Sequence, residues 1–320
     1  SRLAGVNSRK FASSRGLPGD FPGLAMRRAV GLLRAPLQRS CASVASVPPA
    51  AVDTVRYPLH DLEKCRPLLD RFRSEIQQSG YCHLPGFLQE EAVGQLISEA
   101  RGLTAQGCGF RSHEAHNVYL EDVGGADSAE QLEAGLIRSK EFDSSKLLIA
   151  MDDMANNSQL LEVYRWDPLR HFLRDVFGLP QLFRSADPVG GVYYNIFDGA
   201  YQDTLGWHFD RSNFSMNLIL QTTPGAGGDF QYVPDSRLAI GEMRRWAEVD
   251  EHLKGRVQTP ELFAGSLYLF AGSRSIHRVS PVTCGQRINA IFTYVEEEGA
   301  RLNEYTLKKF FGRTTARCDA

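Results

Sequence analysis

The chain has 320 residues, and its 42% hydrophobic and 10% aromatic content can fill a sizeable core of one large domain or two small ones. A formal net charge of −2 gives no overall bias toward nucleic acid or an anionic membrane surface. The six scattered cysteines include no CxxC pair, which argues against a zinc ribbon or disulfide framework and favours a reducing compartment, and no apolar run is long enough to predict a membrane span.

Residues 1–52 form a basic segment whose composition differs from that of the rest. They contain seven Arg, one Lys and seven Ser, but a single acidic residue, Asp20. An Arg-rich, Ser-rich and acid-poor amphipathic segment is typical of an organelle transit peptide. We therefore expect mitochondrial import, with a plastid or cytoplasmic location or a plain disordered basic arm as alternatives, and one folded domain over 53–320. A nucleic-acid-binding arm is disfavoured because aromatic residues are not interleaved with the charges.

The first elements of the folded domain are predicted as helix, strand and helix. An apolar stripe predicts a helix over 62–79, which Gly80 would end. A strand at 81–84 and a second helix at 89–101 follow.

Residues 102–157 are Gly-rich and polar, and we expect loops over a pocket there. His113, Glu114 and His116 are a second candidate metal site, but the histidines are three apart rather than the four of a helical zinc motif, so a surface or lid role is favoured. Residues 168–177 predict a helix with a proline at its start.

The remaining chain predicts short strands separated by turns, with a polar helical insert and a final helix. The strands are expected within 191–197, 213–221, 265–282 and 286–295, the insert at 236–254 and the final helix at 300–312. Such a series is what a small antiparallel barrel requires.

Four polar residues in these strands and their flanks point to one site. His208 and Asp210 are two apart, so in a strand both side chains face the same way. With His277 they make a two-histidine, one-carboxylate facial triad, which leaves three positions of an octahedral Fe(II) open. Arg287 follows ten residues later, and its planar fork suits the carboxylate of a cosubstrate. The set predicts an oxygenase that uses Fe(II) and 2-oxoglutarate, and its weight comes from the strand context, since His-x-Asp alone is a weak signal.

From about residue 67 to 313 the chain resembles the double-stranded β-helix Fe(II)/2-oxoglutarate dioxygenases, in particular the subgroup with free-amino-acid hydroxylases and halogenases. The resemblance implies an α+β fold with a mainly β core, a jelly-roll barrel flanked by N-terminal helices and a C-terminal helix. It also implies Fe(II), 2-oxoglutarate and O2, with ascorbate as reductant. It rests on the blocks SGYCHLPGFL (79–88), GVYYNIF (191–197), TLGWHFD (204–210), GGDFQYVP (227–234), GSLYLFAGSRSIHRVSPV (265–282) and RINAIFTY (287–294).

By this resemblance His208, Asp210 and His277 would be the iron ligands, and Arg287 would hold the distal carboxylate of 2-oxoglutarate. The halogenases of the subgroup have Gly or Ala where this chain has Asp210, and chloride takes the vacant place. The carboxylate present here implies hydroxylation rather than chlorination.

Further cosubstrate contacts are predicted on the strands beside the arginine. Asn289 lies on the same strand face as Arg287 and is a candidate polar contact inside the barrel. Tyr194 and Asn195 point to opposite faces of their strand, so only one can point inward. We favour Tyr194 as a hydrogen-bond donor to the cosubstrate, with a core aromatic role as the alternative.

Substrate contacts are expected from loops at the open end of the barrel. The candidates are Asp203, Thr204, Arg211 and Asn213, each with a surface or turn role as its alternative. Arg211, directly after the triad carboxylate, favours a carboxylate-bearing substrate over a basic amino acid. Trp207 would stiffen the ligand strand by packing or form a wall of the substrate pocket.

The sequence thus predicts an enzyme that hydroxylates an aliphatic C–H bond of a small molecule, an amino acid or related carboxylate, and gives succinate and CO2. A protein side-chain hydroxylase and a non-catalytic barrel are the alternatives. Desaturation, ring closure and epimerisation stay open, as does the oligomeric state. Nucleic acid is not an expected partner.

Overall fold

Seven α-helices and twelve strands occupy residues 47–121 and 135–317, the part of the chain that this computed structural model describes. The helices are α1 (Leu62–Ser79), α2 (Glu90–Ala105), α3 (Gln159–Arg165), α4 (Asp167–Phe177), α5 (Arg237–Gly241), α6 (Trp246–Leu253) and α7 (Glu304–Phe311). The strands are β1 (Tyr81–Leu84), β2 (Phe110–His116), β3 (Phe142–Ile149), β4 (Phe183–Arg184), β5 (Val192–Asp198), β6 (Leu205–His208), β7 (Ser215–Gln221), β8 (Phe230–Val233), β9 (Leu267–Phe270), β10 (Ile276–Val279), β11 (Gln286–Phe292) and β12 (Tyr294–Val295). Short 3₁₀ turns lie at Ile137–Ser139, Met151–Asp153 and Gly199–Tyr201. None of the helices in the described ranges combines the length and apolar composition needed to cross a membrane.

Ten of the strands form one curled antiparallel sheet. Their order is β1-β9-β7-β11-β5-β3-β6-β10-β8, with β2 paired to β3, while β4 and β12 form a separate pair. Strands β8 and β9 are far apart in this order, yet the rings of Phe230 and Tyr268 lie 5.0 Å apart. The sheet therefore closes around a shared interior, which confirms the predicted double-stranded β-helix with flanking helices.

Alternation along the strands separates a helix-covered face from the barrel interior. On β11, Ile288, Ala290 and Phe292 join the core that packs under α1 to α4, while Arg287 and Asn289 lie on the opposite face. Because the outer face is apolar and covered, the polar residues of the site are concentrated inside the barrel.

The stretch predicted as loops over a pocket contains two paired strands instead. β2 and β3 pair over seven residues, from Phe110 opposite Leu148 to His116 opposite Phe142. Their inward positions are mostly polar, and the buried ones include Ser112, Ser144 and Lys146. Buried and exposed residues alternate along these strands, but most of the buried ones are polar. The sequence therefore lacks the alternating hydrophobic pattern from which strands are predicted.

The folded part begins before the predicted boundary at residue 53. Ala51 and Val52 are buried, Val52 forms an isolated bridge with Leu88, and the Gln89 N–H donates to the Ala51 carbonyl at 2.8 Å. The transit peptide predicted over residues 1–52 otherwise lies mostly outside the described residues, so its targeting role stays a prediction.

Candidate active site

The register of β6 against β10 brings the two predicted histidine ligands together. His208 is directly opposite His277, and their ring centroids are 4.1 Å apart. Asp210 follows β6, and its Oδ1 lies 3.4 Å from the Nε2 atom of each histidine. Within the described part of the chain, no other group of three or more His, Cys, Asp or Glu residues is arranged to hold a metal ion. This donor set fits a metal bound on one face.

Backbone carbonyls orient both imidazoles. The Nδ1 atom of His208 lies 2.8 Å from the Gly206 carbonyl oxygen, and that of His277 lies 3.0 Å from the Ser275 carbonyl oxygen. A carbonyl can only accept, so each Nδ1 carries the proton and each Nε2 presents a lone pair toward Asp210. Fixing the tautomer in this way is the usual role of the outer partners of metal-binding histidines.

The electrostatics keep His208 and Asp210 in the protonation states that metal binding needs. Burial and the neighbouring His277 lower the pKa of His208 to about 4. Burial alone would raise the pKa of Asp210, but the two imidazoles hold it well below its usual range. At neutral pH the carboxylate is charged and His208 is neutral, ready to bind a divalent cation.

Gly272 leaves the space that the Asp210 carboxylate occupies. A Cβ atom at Gly272 would lie 1.9 Å from Asp210 Oδ2 and 2.5 Å from its Cγ. The Asp210 N–H also donates to the Gly272 carbonyl at 3.1 Å. This glycine lies within the block 265–282, but its relation to the ligand was not predicted from the sequence.

Arg287 lies inside the barrel with part of its fork unpaired. Its side chain is 2% exposed, and Nη1 donates to Asn289 Oδ1 at 2.5 Å. Nη2 is buried and has no hydrogen-bond partner among the described residues. Burial lowers the pKa of Arg287, an effect that neighbouring Tyr268 opposes. A buried guanidinium with an unpaired nitrogen is stabilised by an anion, and a carboxylate matches its geometry.

A group of asparagines continues from Arg287. Asn289 donates from Nδ2 to Asn217 Oδ1 at 3.1 Å, and Asn289 pairs in register with Asn195 of β5. Asn195 Oδ1 is buried without a partner in the described structure. Asn195, not Tyr194, is therefore the β5 residue that faces the site.

The structure corrects the prediction that Tyr194 binds the cosubstrate. Tyr194 belongs to the core under the helices, and its hydroxyl donates to Glu99 Oε1 of α2 at 2.7 Å. The alternation of β5 instead turns Asn195 and Phe197 inward, and Phe197 packs under the Arg287 guanidinium.

Three predicted substrate residues have structural roles instead. Asp203 is fully buried and pairs with Arg111 at 2.8 Å, and Thr204 Oγ1 donates to the Val279 carbonyl at 2.9 Å. Both precede β6, whereas His208 ends it. Trp207 alternates with His208 and packs in a separate cluster, with the Arg278 guanidinium 4.6 Å from its ring centroid.

The other two predicted substrate residues lie at the exposed rim after Asp210. Arg211 donates to the Leu120 carbonyl, and its guanidinium lies 5.3 Å from the centroid of the Tyr305 ring. Asn213 donates to Glu296 Oε1 at 3.0 Å. Of the two, Arg211 is the one adjacent to a metal ligand in the chain.

The sequence analysis also missed interior residues on β2 and β3. His116, expected at the surface or in a lid, is buried, and its ring centroid lies 5.8 Å from that of His208. Its Nε2 lies 2.6 Å from Ser144 Oγ. Lys146, two residues along β3 on the same face, is also buried. His113 is exposed and Glu114 pairs with Lys309, so the candidate second metal group, which the sequence analysis disfavoured, is not assembled.

The chain is similar in structure to the non-heme α-ketoglutarate-dependent epimerase SnoN from nogalamycin biosynthesis (18% identity, 72% of this chain and 81% of that one, TM-score 0.49). It is also similar to a prolyl-4-hydroxylase of Pseudomonas putida (15% identity, 70% and 96%, TM-score 0.43) and a prolyl hydroxylase of Trichoplax adhaerens (13% identity, 74% and 93%, TM-score 0.48). No curated protein matches the chain significantly. The family model described as Halogenase D matches residues 127–308, more than half of the chain. The chain therefore belongs to the Halogenase D family.

Proposed function

We propose that the protein is an Fe(II)- and 2-oxoglutarate-dependent dioxygenase. The observation that carries the proposal is the triad of His208, Asp210 and His277 in the same barrel interior as the buried, partly unpaired guanidinium of Arg287. When bound, iron and 2-oxoglutarate supply the oxidation of a C–H bond by O2, with succinate and CO2 as by-products.

The chain's own residues bind and orient these groups. The two imidazoles and the carboxylate would hold the metal and leave positions for other ligands. Arg287 would pair with the distal carboxylate of the cosubstrate, and Asn289 holds the guanidinium by accepting from Nη1. Asn195 is a further candidate for a polar contact, because its buried side-chain oxygen needs a donor.

Hydroxylation is favoured over chlorination, although the family is described as a halogenase family. The third protein ligand position is filled by the Asp210 carboxylate, whose place is kept open by Gly272. Chloride would need that position to be vacant.

A small molecule with a carboxylate is the favoured substrate class. Arg211 lies beside Asp210 in the chain and carries an exposed guanidinium at the rim. Helix α7 packs against β2 and β3, and Phe311 contacts Tyr193. The helix covers the part of the sheet that carries Leu148 and Tyr193, and such a cover favours a free small molecule over a protein segment.

The test is succinate formation by the full chain with Fe(II), ascorbate, 2-oxoglutarate and O2, against a panel of free amino acids and organic acids with chloride present. We expect one panel member to raise succinate above the uncoupled rate and to gain one oxygen atom by mass spectrometry. The Asp210→Gly variant tests the role of the carboxylate, since it opens the third ligand position. A chlorinated product from the unmodified protein would refute hydroxylation, and a protein that binds no iron would refute the oxygenase.

A further inference from the structure

Lys146 is a buried cation on the inner side of the barrel. Its side chain is 3% exposed, and it lies on β3 on the same face as Ser144 and Leu148. The register pairs Leu147 with Ile196 of β5, so Lys146 is beside Phe197, which in turn pairs with Arg287 of β11. Lys146 and Arg287 are thus on the same row of the sheet, with strand β5 between them.

The neighbours of Lys146 connect it to the metal ligands. Its Nζ lies 5.0 Å from the centroid of the Phe310 ring of α7, and Phe310 lies 6.4 Å from Tyr193. Burial raises the pKa of Tyr193, and the charge of Asp210 raises it further. On the other side, Ser144 contacts His116, whose ring packs against His208.

No carboxylate in the described part of the chain pairs with this ammonium. The two that act on it are Glu114 and Asp203, and each has another cation as its partner. Glu114 lies 2.9 Å from Lys309, and Asp203 lies 2.8 Å from Arg111. Lys146 has no hydrogen bond or ion pair within residues 47–121 and 135–317. Burial lowers its pKa, while the two distant carboxylates oppose that effect.

We propose that Lys146 binds a carboxylate of a small molecule inside the barrel. A buried ammonium is costly without an anion, and a charge-assisted hydrogen bond to a carboxylate removes that cost. The inference rests on the proposed function, which supplies two sources of this group. One is the 2-oxoglutarate carboxylate that Arg287 does not hold, and the other is a carboxylate of the substrate.

The variants for the test are Lys146→Met and Lys146→Gln, with Lys140→Met as the matched control. Met keeps the approximate length of the side chain, Gln keeps its polarity, and both remove the charge. An effect shared by both variants is therefore due to the lost charge, whereas an effect of only one of them is due to altered packing. Lys140 also has its Nζ above a phenyl ring, 5.6 Å from the Phe142 centroid, but it is exposed.

Two titrations without O2 distinguish the sources. The first follows the absorption of the Fe(II)·2-oxoglutarate complex as 2-oxoglutarate is added. The second measures, by calorimetry, binding of the panel carboxylates and of their primary amides to that complex. Both Lys146 variants should weaken one of the two by about 10- to 100-fold, the effect of a lost hydrogen bond to a charged group.

If the Lys146 variants bind 2-oxoglutarate more weakly, Lys146 contacts the cosubstrate. If they bind a panel carboxylate more weakly, Lys146 contacts the substrate. In that second case the unmodified protein should already bind the primary amide of the same compound more weakly than the carboxylate. Affinities within about twofold of those of Lys140→Met in both titrations would overturn the inference. If the protein binds no iron, the proposed function fails, and thermal stabilisation of the metal-free protein by 2-oxoglutarate and by each panel carboxylate becomes the readout. Stabilisation by one of these compounds that disappears in Lys146→Met would still support the inference, and its persistence for all of them would refute it.

Discussion

At the scale of single residues, the same local device orients both histidine ligands. His208 and His277 each donate from Nδ1 to the backbone carbonyl of the residue two positions earlier in the chain. Both contacts are local in sequence and use only the backbone as acceptor. The orientation therefore comes from the local backbone, without an additional carboxylate behind either ring in the described structure.

Removal of one ligand should abolish tight iron binding. We expect His208→Ala to lower Fe(II) affinity by more than about 100-fold, because loss of outer-shell partners alone typically costs about 10- to 100-fold. Equilibrium dialysis measures this, with His113→Ala as control because His113 is exposed on β2. Equal loss of iron in both variants would contradict the assignment.

Replacement of the arginine should act on the cosubstrate and leave the metal in place. Arg287→Leu removes the buried fork, so 2-oxoglutarate affinity should fall about 10- to 100-fold while Fe(II) affinity stays near that of the unmodified protein. Arg287→Lys keeps the charge but loses the bidentate geometry and should recover only part of the affinity. Unchanged 2-oxoglutarate binding in Arg287→Leu would place the cosubstrate elsewhere.

The lowered pKa of His208 makes the stability of the metal-free protein depend on pH. Above pH 6.5 His208 is neutral in both the folded and the unfolded state, and its full contribution is present. As pH falls from 6.5 toward 4, the unfolded state binds a proton that the folded state does not, so the free energy of unfolding decreases by up to about 3 kcal/mol. Urea unfolding at several pH values should show a smaller decrease for His208→Asn, and an equal decrease would contradict the prediction.

At the scale of elements, the short turn after β9 positions the third ligand. A methyl group at Gly272 would overlap Asp210 Oδ2 and Cγ, so Gly272→Ala should displace the carboxylate and weaken Fe(II) binding by about 10-fold, the loss typical of a disturbed outer partner. Gly241→Ala is the control, because a Cβ at Gly241 meets no atom within 4 Å. Iron binding that is unchanged in Gly272→Ala would show that the carboxylate has room to move.

Strand alternation also explains what could be predicted from the sequence and what could not. The sequence identified the four site residues because each lies in or beside a short apolar strand, a pattern that can be recognised locally. They are His208, Asp210, His277 and Arg287. The choice of Tyr194 over Asn195 depended on which face the helices cover, and that is fixed only by packing with α2 through Glu99. β2 and β3 were missed because their buried positions include polar residues, so hydrophobic periodicity was lost.

The Tyr194 correction can be tested directly. Tyr194→Phe removes a part-buried hydrogen bond to Glu99 Oε1, which still accepts from Ser158 Oγ, so the protein should lose about 0.5 to 1.5 kcal/mol of stability, the net contribution of a typical hydrogen bond. The affinity for 2-oxoglutarate should stay the same. A loss of cosubstrate affinity with unchanged stability would restore the role that the sequence suggested.

At the scale of the whole molecule, the barrel closes so that residues from distant parts of the chain share one interior. Four different strands contribute a side chain to this interior. These side chains are Lys146 of β3, His208 of β6, His277 of β10 and Arg287 of β11. Residues 51 and 52 already pack into the fold, so a shortened chain for expression should begin before them. Mitochondrial import by the basic segment remains a proposal, which the location of a fluorescent fusion with and without residues 1–46 would test.

The most direct test of the central claim is an anaerobic titration of the full chain with Fe(II) followed by 2-oxoglutarate, monitored by the absorption of their ternary complex. The account predicts one iron per chain, an absorption band that appears only after 2-oxoglutarate is added, and loss of that band in His277→Ala. Iron that binds equally well in His277→Ala, or a protein that binds iron without forming the 2-oxoglutarate complex, would contradict it.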